Sequence, residues 1–462
     1  MLNKRFFSKE SMTAPAHYNR WLIAPAALAI HLSIGQVYAF SVFNLPLSQL
    51  LGITESVPGD WTLAQLGWIF STAIAFLGIS AAVFGKWVER EGPRKAMFVA
   101  ALLFSSGFFV SALGVKLHQM EWLYLGYGVL GGMGLGIGYI SPVSTLMKWF
   151  PDRPGMATGL AIMGFGGGAV LGSPLGVALM NFYRTDTDLG VAPTFLTMGG
   201  IYLILMMIGM FLIRVPGASW QPNVCNASQS KRMVATTSTT ADQAIKTPQF
   251  WLLWIVLCTN VTAGIGVLSQ ASPMIQEMFK VSPAEGAAFV MLLSTFNLLG
   301  RFFWSSASDY LGRKNTYRMF FGLGMILYGL IPYTGQSGNV ILFTIGFCIV
   351  LSMYGGGFST IPSYLRDMFG TLQIGAIHGR LLTAWSVAGV LGPVFVNYLR
   401  QYQIDQGVPK AEAYTFTMHL MVWALALGFL ANHLVRAVSS KHQVRDLNFN
   451  TRSNLGSLAQ KA

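Results

Sequence analysis

The chain has 462 residues, of which 53% are hydrophobic and only 10% charged, with a formal net charge of +13. Soluble domains carry roughly 25% charged residues, so this balance excludes an ordinary soluble enzyme, and the length exceeds one soluble core. A basic surplus would suggest nucleic acid in a soluble protein, but here Lys and Arg sit in short segments between long apolar runs. The expected surrounding is therefore a lipid bilayer, with no nucleic-acid partner.

A polar, basic tail over residues 1–20 comes first, with Lys4, Arg5, Lys9 and Arg20. The apolar run after it is too long for a signal-peptide core and lacks a small-residue cleavage pattern, so it reads as a retained span. About 20 apolar residues cross about 30 Å of hydrocarbon. Twelve such runs begin near Trp21, Trp61, Ala96, Trp122, Gly155, Thr194, Phe250, Gly286, Tyr317, Val340, Gly375 and Tyr414. They are too long and too poor in alternation for strands. The pattern predicts an all-α membrane protein with twelve transmembrane helices in two six-helix bundles, over 21–214 and 249–435. A cytoplasmic linker over 215–248, rich in Ser and Thr, joins them, and a tail over 436–462 follows.

An even number of spans puts both termini on one face. That face holds twenty-four of the thirty Lys and Arg, against Lys116, Arg184, Lys280, Arg400 and Lys410 opposite. The bias predicts cytoplasmic ends. The thirtieth, Arg301, falls inside the eighth span, while all seventeen acids lie in loops, tails or span ends. Cys225, Cys258 and Cys348 are scattered and form neither a disulfide framework nor a zinc site.

The halves match at an offset of 220 residues. Glu89 pairs with Asp309, Gly92 with Gly312, Arg94 with Lys314, Pro142 with Pro362, and Val170-Leu171-Gly172 with Val390-Leu391-Gly392. Parallel six-span halves are a transporter plan that places the binding site near the midplane between them.

The loop Gly85 to Lys95, containing Glu89, Arg90, Gly92 and Arg94, resembles the loop motif of the major facilitator superfamily, as does its counterpart Ser308-Asp309-Tyr310-Leu311-Gly312-Arg313-Lys314. Gly168 to Gly176 resembles the Gly-Pro motif of span five found in exchangers of that superfamily. More narrowly, Ile30 to Ser41, Asn260 to Gly264 and Tyr354 to Phe358 are similar to the oxalate/formate antiporter-like branch, which is related to monocarboxylate transporters. The resemblance implies a twelve-helix fold, alternating access, and a gate built on Glu89, Arg90, Arg94, Asp309 and Arg313. It also implies an arginine in span eight as carboxylate anchor, which Arg301 matches. Two positions depart from the branch. Trp385 stands where oxalate exchangers carry a lysine, which argues against oxalate. Gly128 or a neighbour stands where proton-coupled relatives carry an arginine, which argues against proton coupling.

Arg301 precedes Asp309 by eight residues, or about 12 Å along a helix, and a charge at that depth marks a functional site. The plainer alternative is an arginine that snorkels or bonds backbone carbonyls. A guanidinium fork suits one carboxylate. Asn297 shares its face one turn earlier. His31 lies roughly 15 Å into the first span, as a proton or substrate ligand or as a helix-packing residue. Tyr38 shares its face, and Asn260 with Gly264 repeats the His31–Gly35 spacing at an offset of 229. Gln36, Gln270, Tyr139 and Tyr354 are candidates for interhelical hydrogen bonds or for ligands. Trp385 and its repeat mate Phe165 either wall the pocket or pack.

The run Gly131 to Gly138 has a nucleotide-loop composition, but it lies inside a span with no strand before it, so close helix packing is its expected role. Gly155–Gly159 and Gly375–Gly379 are seams of the same kind. The sequons at Asn226 and Asn260 fall in the linker and a span and are discounted. No nucleophile–base pair, metal cluster or ATP loop is present in the sequence, and no cofactor is expected. The expected function is secondary transport of a small carboxylate, such as formate, lactate or pyruvate, across a bacterial-type plasma (inner) membrane. The protein is expected to act as a monomer, with exchange ahead of proton symport. Export of drugs or other amphiphiles, or nutrient sensing, are the alternatives.

Overall fold

The computed structural model describes residues 4–15, 17–217, 220, 238–410 and 412–443. Cys225, the Asn226 sequon, most of the linker and the end of the C-terminal tail lie outside the described residues. Twelve long helices follow one another: α1 Arg20–Leu47, α2 Leu63–Glu91, α3 Pro93–Leu117, α4 Met120–Trp149, α5 Pro154–Tyr183 and α6 Val191–Leu212 in the first half. The second half holds α7 Pro248–Phe279, α8 Pro283–Leu311, α9 Arg313–Gln336, α10 Val340–Phe369, α11 Ile374–Asp405 and α12 Ala413–Leu434. Eleven of these are long and apolar enough to cross a membrane. The twelfth, α9, matches the others in length, but Arg313, Lys314 and Arg318 occupy its first two turns.

Local chemistry sets the helix ends. Thr62 accepts from the Gln65 N–H while the Gln65 side chain accepts from the Thr62 N–H, a reciprocal box that starts α2. Ser282 and Glu285 do the same for α8. Gly92 and Gly312, mates at the 220 offset, both sit at positive φ, +91° and +82°, and turn α2 into α3 and α8 into α9. A side chain would be strained at either position.

The glycine run of α4 packs helices together, as its pattern suggested. A Cβ on Gly134 would press on the α3 backbone at Ala100 and Phe104, and one on Gly132 on the α2 backbone at Ala73. A wide-turn stretch over Tyr124–Gly131 precedes it, where α4 crosses Gly107 of α3. Gly155 and Gly159 carry α5 against Ser305 of α8, and Gly375 and Gly379 carry α11 against Glu89 and Ala81 of α2. These two seams join the halves: α5 to α8 and α2 to α11.

Candidate central site and gate

At the junction of the halves stands Arg301 of α8, with a relative exposure of 1%. Its Nε donates to Asn297 Oδ1 one turn earlier (3.2 Å), and its Nη1 donates to the Ile162 carbonyl of α5 (3.1 Å). Gly166 of α5 leaves the room: a Cβ there would lie 3.1 Å from Arg301 Nε. The rings of Tyr38, Phe165 and Phe358 surround the guanidinium, with centroids 5.9, 5.7 and 5.6 Å from Cζ. Arg301 makes no ion pair among the described residues.

Around it extends an aromatic cluster drawn from both halves. Trp385 of α11 lies 4.5 Å from Phe358, 5.5 Å from Phe165, 5.8 Å from Tyr139 and 6.4 Å from Tyr38. Phe165 and its mate Trp385 thus meet edge-on between the halves. Tyr139 of α4 touches His31 of α1 at 5.3 Å and His378 of α11 at 5.7 Å. His31 Nδ1 lies 3.2 Å from the Ala27 carbonyl in its own helix. His378, which the sequence placed only in a glycine seam, is fully buried. Its signal was available: a titratable side chain inside an apolar span.

Other candidates lie elsewhere. Gln36 accepts a hydrogen bond from Tyr127 (2.9 Å) and packs on Gly172, inside the first half. Asn260 is turned against Gly357 and lines a small cavity with Tyr328 and Leu425, inside the second half. Neither contacts Arg301. Gln270 bonds Asn397 of α11. The proposed match of His31 with Asn260 also slips by one turn. Gly172 of α5 rests on Gln36 and Ala39, and its mate Gly392 of α11 rests on Thr262 and Ile265, so the first helices of the halves correspond at an offset of 226. Asn260 is therefore the counterpart of Ile34.

On the face that carries the linker and the chain ends, two carboxylates cross between the halves. Asp309 of α8 accepts from the Gly155 and Met156 N–H groups at the start of α5, at 2.9 Å each. Glu89 of α2 accepts from the Gly375 N–H at the start of α11, at 2.7 Å. Free N–H groups and the helix dipole make each start a carboxylate site. The accompanying cations differ. Arg313 bonds Asp309 (2.6 Å) and Asp367 (3.1 Å) in the same half, whereas Lys148 of α4 bonds Glu89 (3.0 Å). The sequence mate of Arg313 is Pro93, so the first half recruits its cation from another helix.

Two expected gate residues are not in this arrangement. Arg90 is 75% exposed and, among the described residues, pairs only with its neighbour Glu91. Arg94 is buried and points away. It donates to the carbonyls of Phe6 (2.7 Å) and Ile213 (3.4 Å), pinning the N-terminal tail to the end of α6. Its mate Lys314 donates to the His433 carbonyl (2.8 Å) at the end of α12. Ile213 and His433 are themselves 220 apart, so both basic residues serve the last helix of their half.

Asp242, on the short linker helix Ala241–Ala244, bridges the halves a second time. Its oxygens take Lys86 of α2 (2.5 Å) and Arg380 of α11 (2.7 Å). These two cations hold its carboxyl down at about 2.

Two six-helix halves joined through glycine seams, with a buried cation between them that has no acidic partner among the described residues and reciprocal carboxylate caps on one face, define a multi-pass membrane transporter. The chain belongs to the Major Facilitator Superfamily, whose family model matches residues 12–393; it is a transporter and not an enzyme. It is 26% identical over 378 residues to the uncharacterized MFS-type transporter YhjX of Escherichia coli, covering 81% of this chain and 88% of that one. It is also 26% identical over 376 residues to the oxalate:formate antiporter of Oxalobacter formigenes, covering 81% and 83%. The crystal structure of the E. coli fucose:proton symporter superposes with a TM-score of 0.65 at 12% identity, over 91% of this chain and all of that one, a likeness of fold.

Proposed function

We propose that this transporter exchanges small monocarboxylates, of the formate, lactate or pyruvate type, by alternating access. The observation that supports this reading is Arg301: a fully buried cation at the contact of the halves, with no acidic partner among the described residues. Its fork suits a single carboxylate. Asn297, its side-chain partner, cannot carry a proton. An unpaired cation is costly to carry through a closed state, so the substrate anion supplies the counter-charge in each reorientation, which enforces exchange. Similarity to an oxalate:formate antiporter agrees with exchange. Trp385, bulky and uncharged, suits one carboxylate over two. Tyr38 and Trp385 wall the site, with His31 at its far side.

The basic face is taken as cytoplasmic, in a bacterial-type plasma membrane with the protein acting as a monomer. Glu89 and Asp309 then latch the cytoplasmic side shut by capping helices of the opposite half, and their release opens it.

The test uses proteoliposomes at matched pH. Internal carboxylate is expected to stimulate uptake of labelled carboxylate strongly, and Arg301→Gln to abolish it while the protein still inserts. Full flux in Arg301→Gln would remove the anchor. Fast uptake into empty vesicles, driven by an inward proton gradient and lost in His31→Gln, would replace exchange with proton symport.

A further inference from the structure

The aromatic cluster beside Arg301 leaves several buried polar atoms without a hydrogen-bond partner: Tyr139 Oη, Trp385 Nε1 and both ring nitrogens of His378. Groups of this kind are rare in folded proteins, because each unmade bond leaves a desolvated group uncompensated. Their concentration around one ring is the second observation. Tyr139 contacts His31 and His378, and it shares both Phe165 and Phe358 with the Arg301 guanidinium. Centroid distances of 5.5 and 5.7 Å on the tyrosine side, and 5.7 and 5.6 Å on the arginine side, keep the two within the span of a small molecule.

A carboxylate with a plain alkyl tail would answer Arg301 and leave these atoms unmet. We infer that Tyr139, His378 and Trp385, with the His31 ring packed against Tyr139, form a second, uncharged subsite that recognises a hydroxyl or oxo group on the substrate. The donors and acceptors are of both kinds, since a tyrosine hydroxyl and a neutral imidazole each offer both and an indole N–H only donates. An alcohol or ketone oxygen is therefore matched, and a second carboxylate, with no second cation to meet it, is not. The residues come from both halves, α1 and α4 on one side and α11 on the other. A substrate held by this subsite ties the halves together, so the same group that confers selectivity favours closure around the ligand. A site built to hydrogen-bond a substrate rejects the analogue that lacks the group far more strongly than an apolar pocket separates two sizes.

This inference rests on the carboxylate reading of Arg301, and the experiment separates the two. Purified full-length protein in detergent is titrated with propionate, lactate and pyruvate, which share a three-carbon skeleton, and binding is read from the thermal unfolding midpoint. Lactate or pyruvate is expected to bind about 10- to 100-fold more tightly than propionate. In Tyr139→Phe, which keeps the ring and removes the hydroxyl, and in Trp385→Phe, that ratio falls toward one. His378→Leu should do the same where it folds. Equal affinity for all three acids in the unaltered protein would overturn the subsite while leaving the anchor intact. So would a ratio that survives in both Tyr139→Phe and Trp385→Phe. No stabilisation by any of the acids, with Arg301→Gln indistinguishable from the parent, would overturn the anchor and the subsite with it.

Discussion

If the carboxylate caps of Asp309 and Glu89 latch the basic face as proposed, the two should differ in strength, and the difference can be worked from their bonds. In the proposed cycle, opening that face would separate α5 from α8 and α2 from α11 while leaving each acid with any cation of its own half. Arg313 stays with Asp309, since both belong to the second half, and Lys148 stays with Glu89 in the first. What is lost on opening is two N–H bonds to Asp309 and one to Glu89. Hydrogen bonds to a charged group contribute about 1.5–3 kcal/mol. Asp309→Asn presents an amide NH2 to one of two N–H groups and should shift the closed-to-open ratio by about 3 kcal/mol, or about a hundredfold. Glu89→Gln keeps one neutral acceptor and should shift it by about 1.4 kcal/mol, or about tenfold. Burial points the same way: the Asp309–Arg313 pair is 3% and 4% exposed, whereas Lys148 is 35% exposed beside Glu89. The assay is double electron–electron resonance between spin labels at Arg90→Cys and Tyr310→Cys, exposed mates at the ends of α2 and α8, with the native cysteines replaced. Equal shifts, or a larger one for Glu89→Gln, would refute the argument from bond number.

Three further outcomes are expected. Arg301→Lys should lose the proposed carboxylate exchange as fully as Arg301→Gln, because an ammonium cannot span Asn297 and Ile162 while offering a fork; transport kinetics in proteoliposomes checks this. Arg94→Ala should leave the spin-label distances unchanged and lower thermal stability by about 1–3 kcal/mol, through the carbonyls it strands in the N-terminal tail and at the end of α6. The linker bridge should be insensitive to pH between 5 and 8. Its carboxyl is depressed to about 2, so the pairing is complete above the usual carboxylate range and is lost only as pH falls toward 2. Asp242→Asn should accordingly change the open fraction by the same factor at pH 5 and pH 8, and by less in high salt.

Much of the architecture was legible because a bilayer imposes simple requirements. Long apolar runs, a one-sided excess of Lys and Arg, and the 220-residue register sufficed for twelve helices in two halves. Arg301 was legible as the single charge inside a span, and Asn297 followed from helical spacing. Side-chain direction was not. Arg94 and Arg90 share one short motif with Glu89, yet one is buried under the N-terminal tail and the other faces solvent, because α2 ends at Gly92 and the chain reverses there. The Asn260 match failed for a related reason. Equal spacing on two helices does not set their axial register, and a shift of three residues rotates a side chain away from the centre into its own bundle. His378 was hidden by its neighbours, since glycines four apart drew the reading toward packing alone.

The reciprocal capping on the basic face has an implication for assembly. Each half contributes one acid at the end of its second helix and one bare start at its fifth, so the contact is self-complementary, as in an isologous dimer with a two-fold axis. A six-helix chain with this acid and this helix start could pair with a copy of itself. In the joined chain the linker then has to supply proximity, with geometry already encoded in the halves. The departures from symmetry, Lys148 against Arg313 and Pro93 where an arginine would stand, are where the two copies have been set apart.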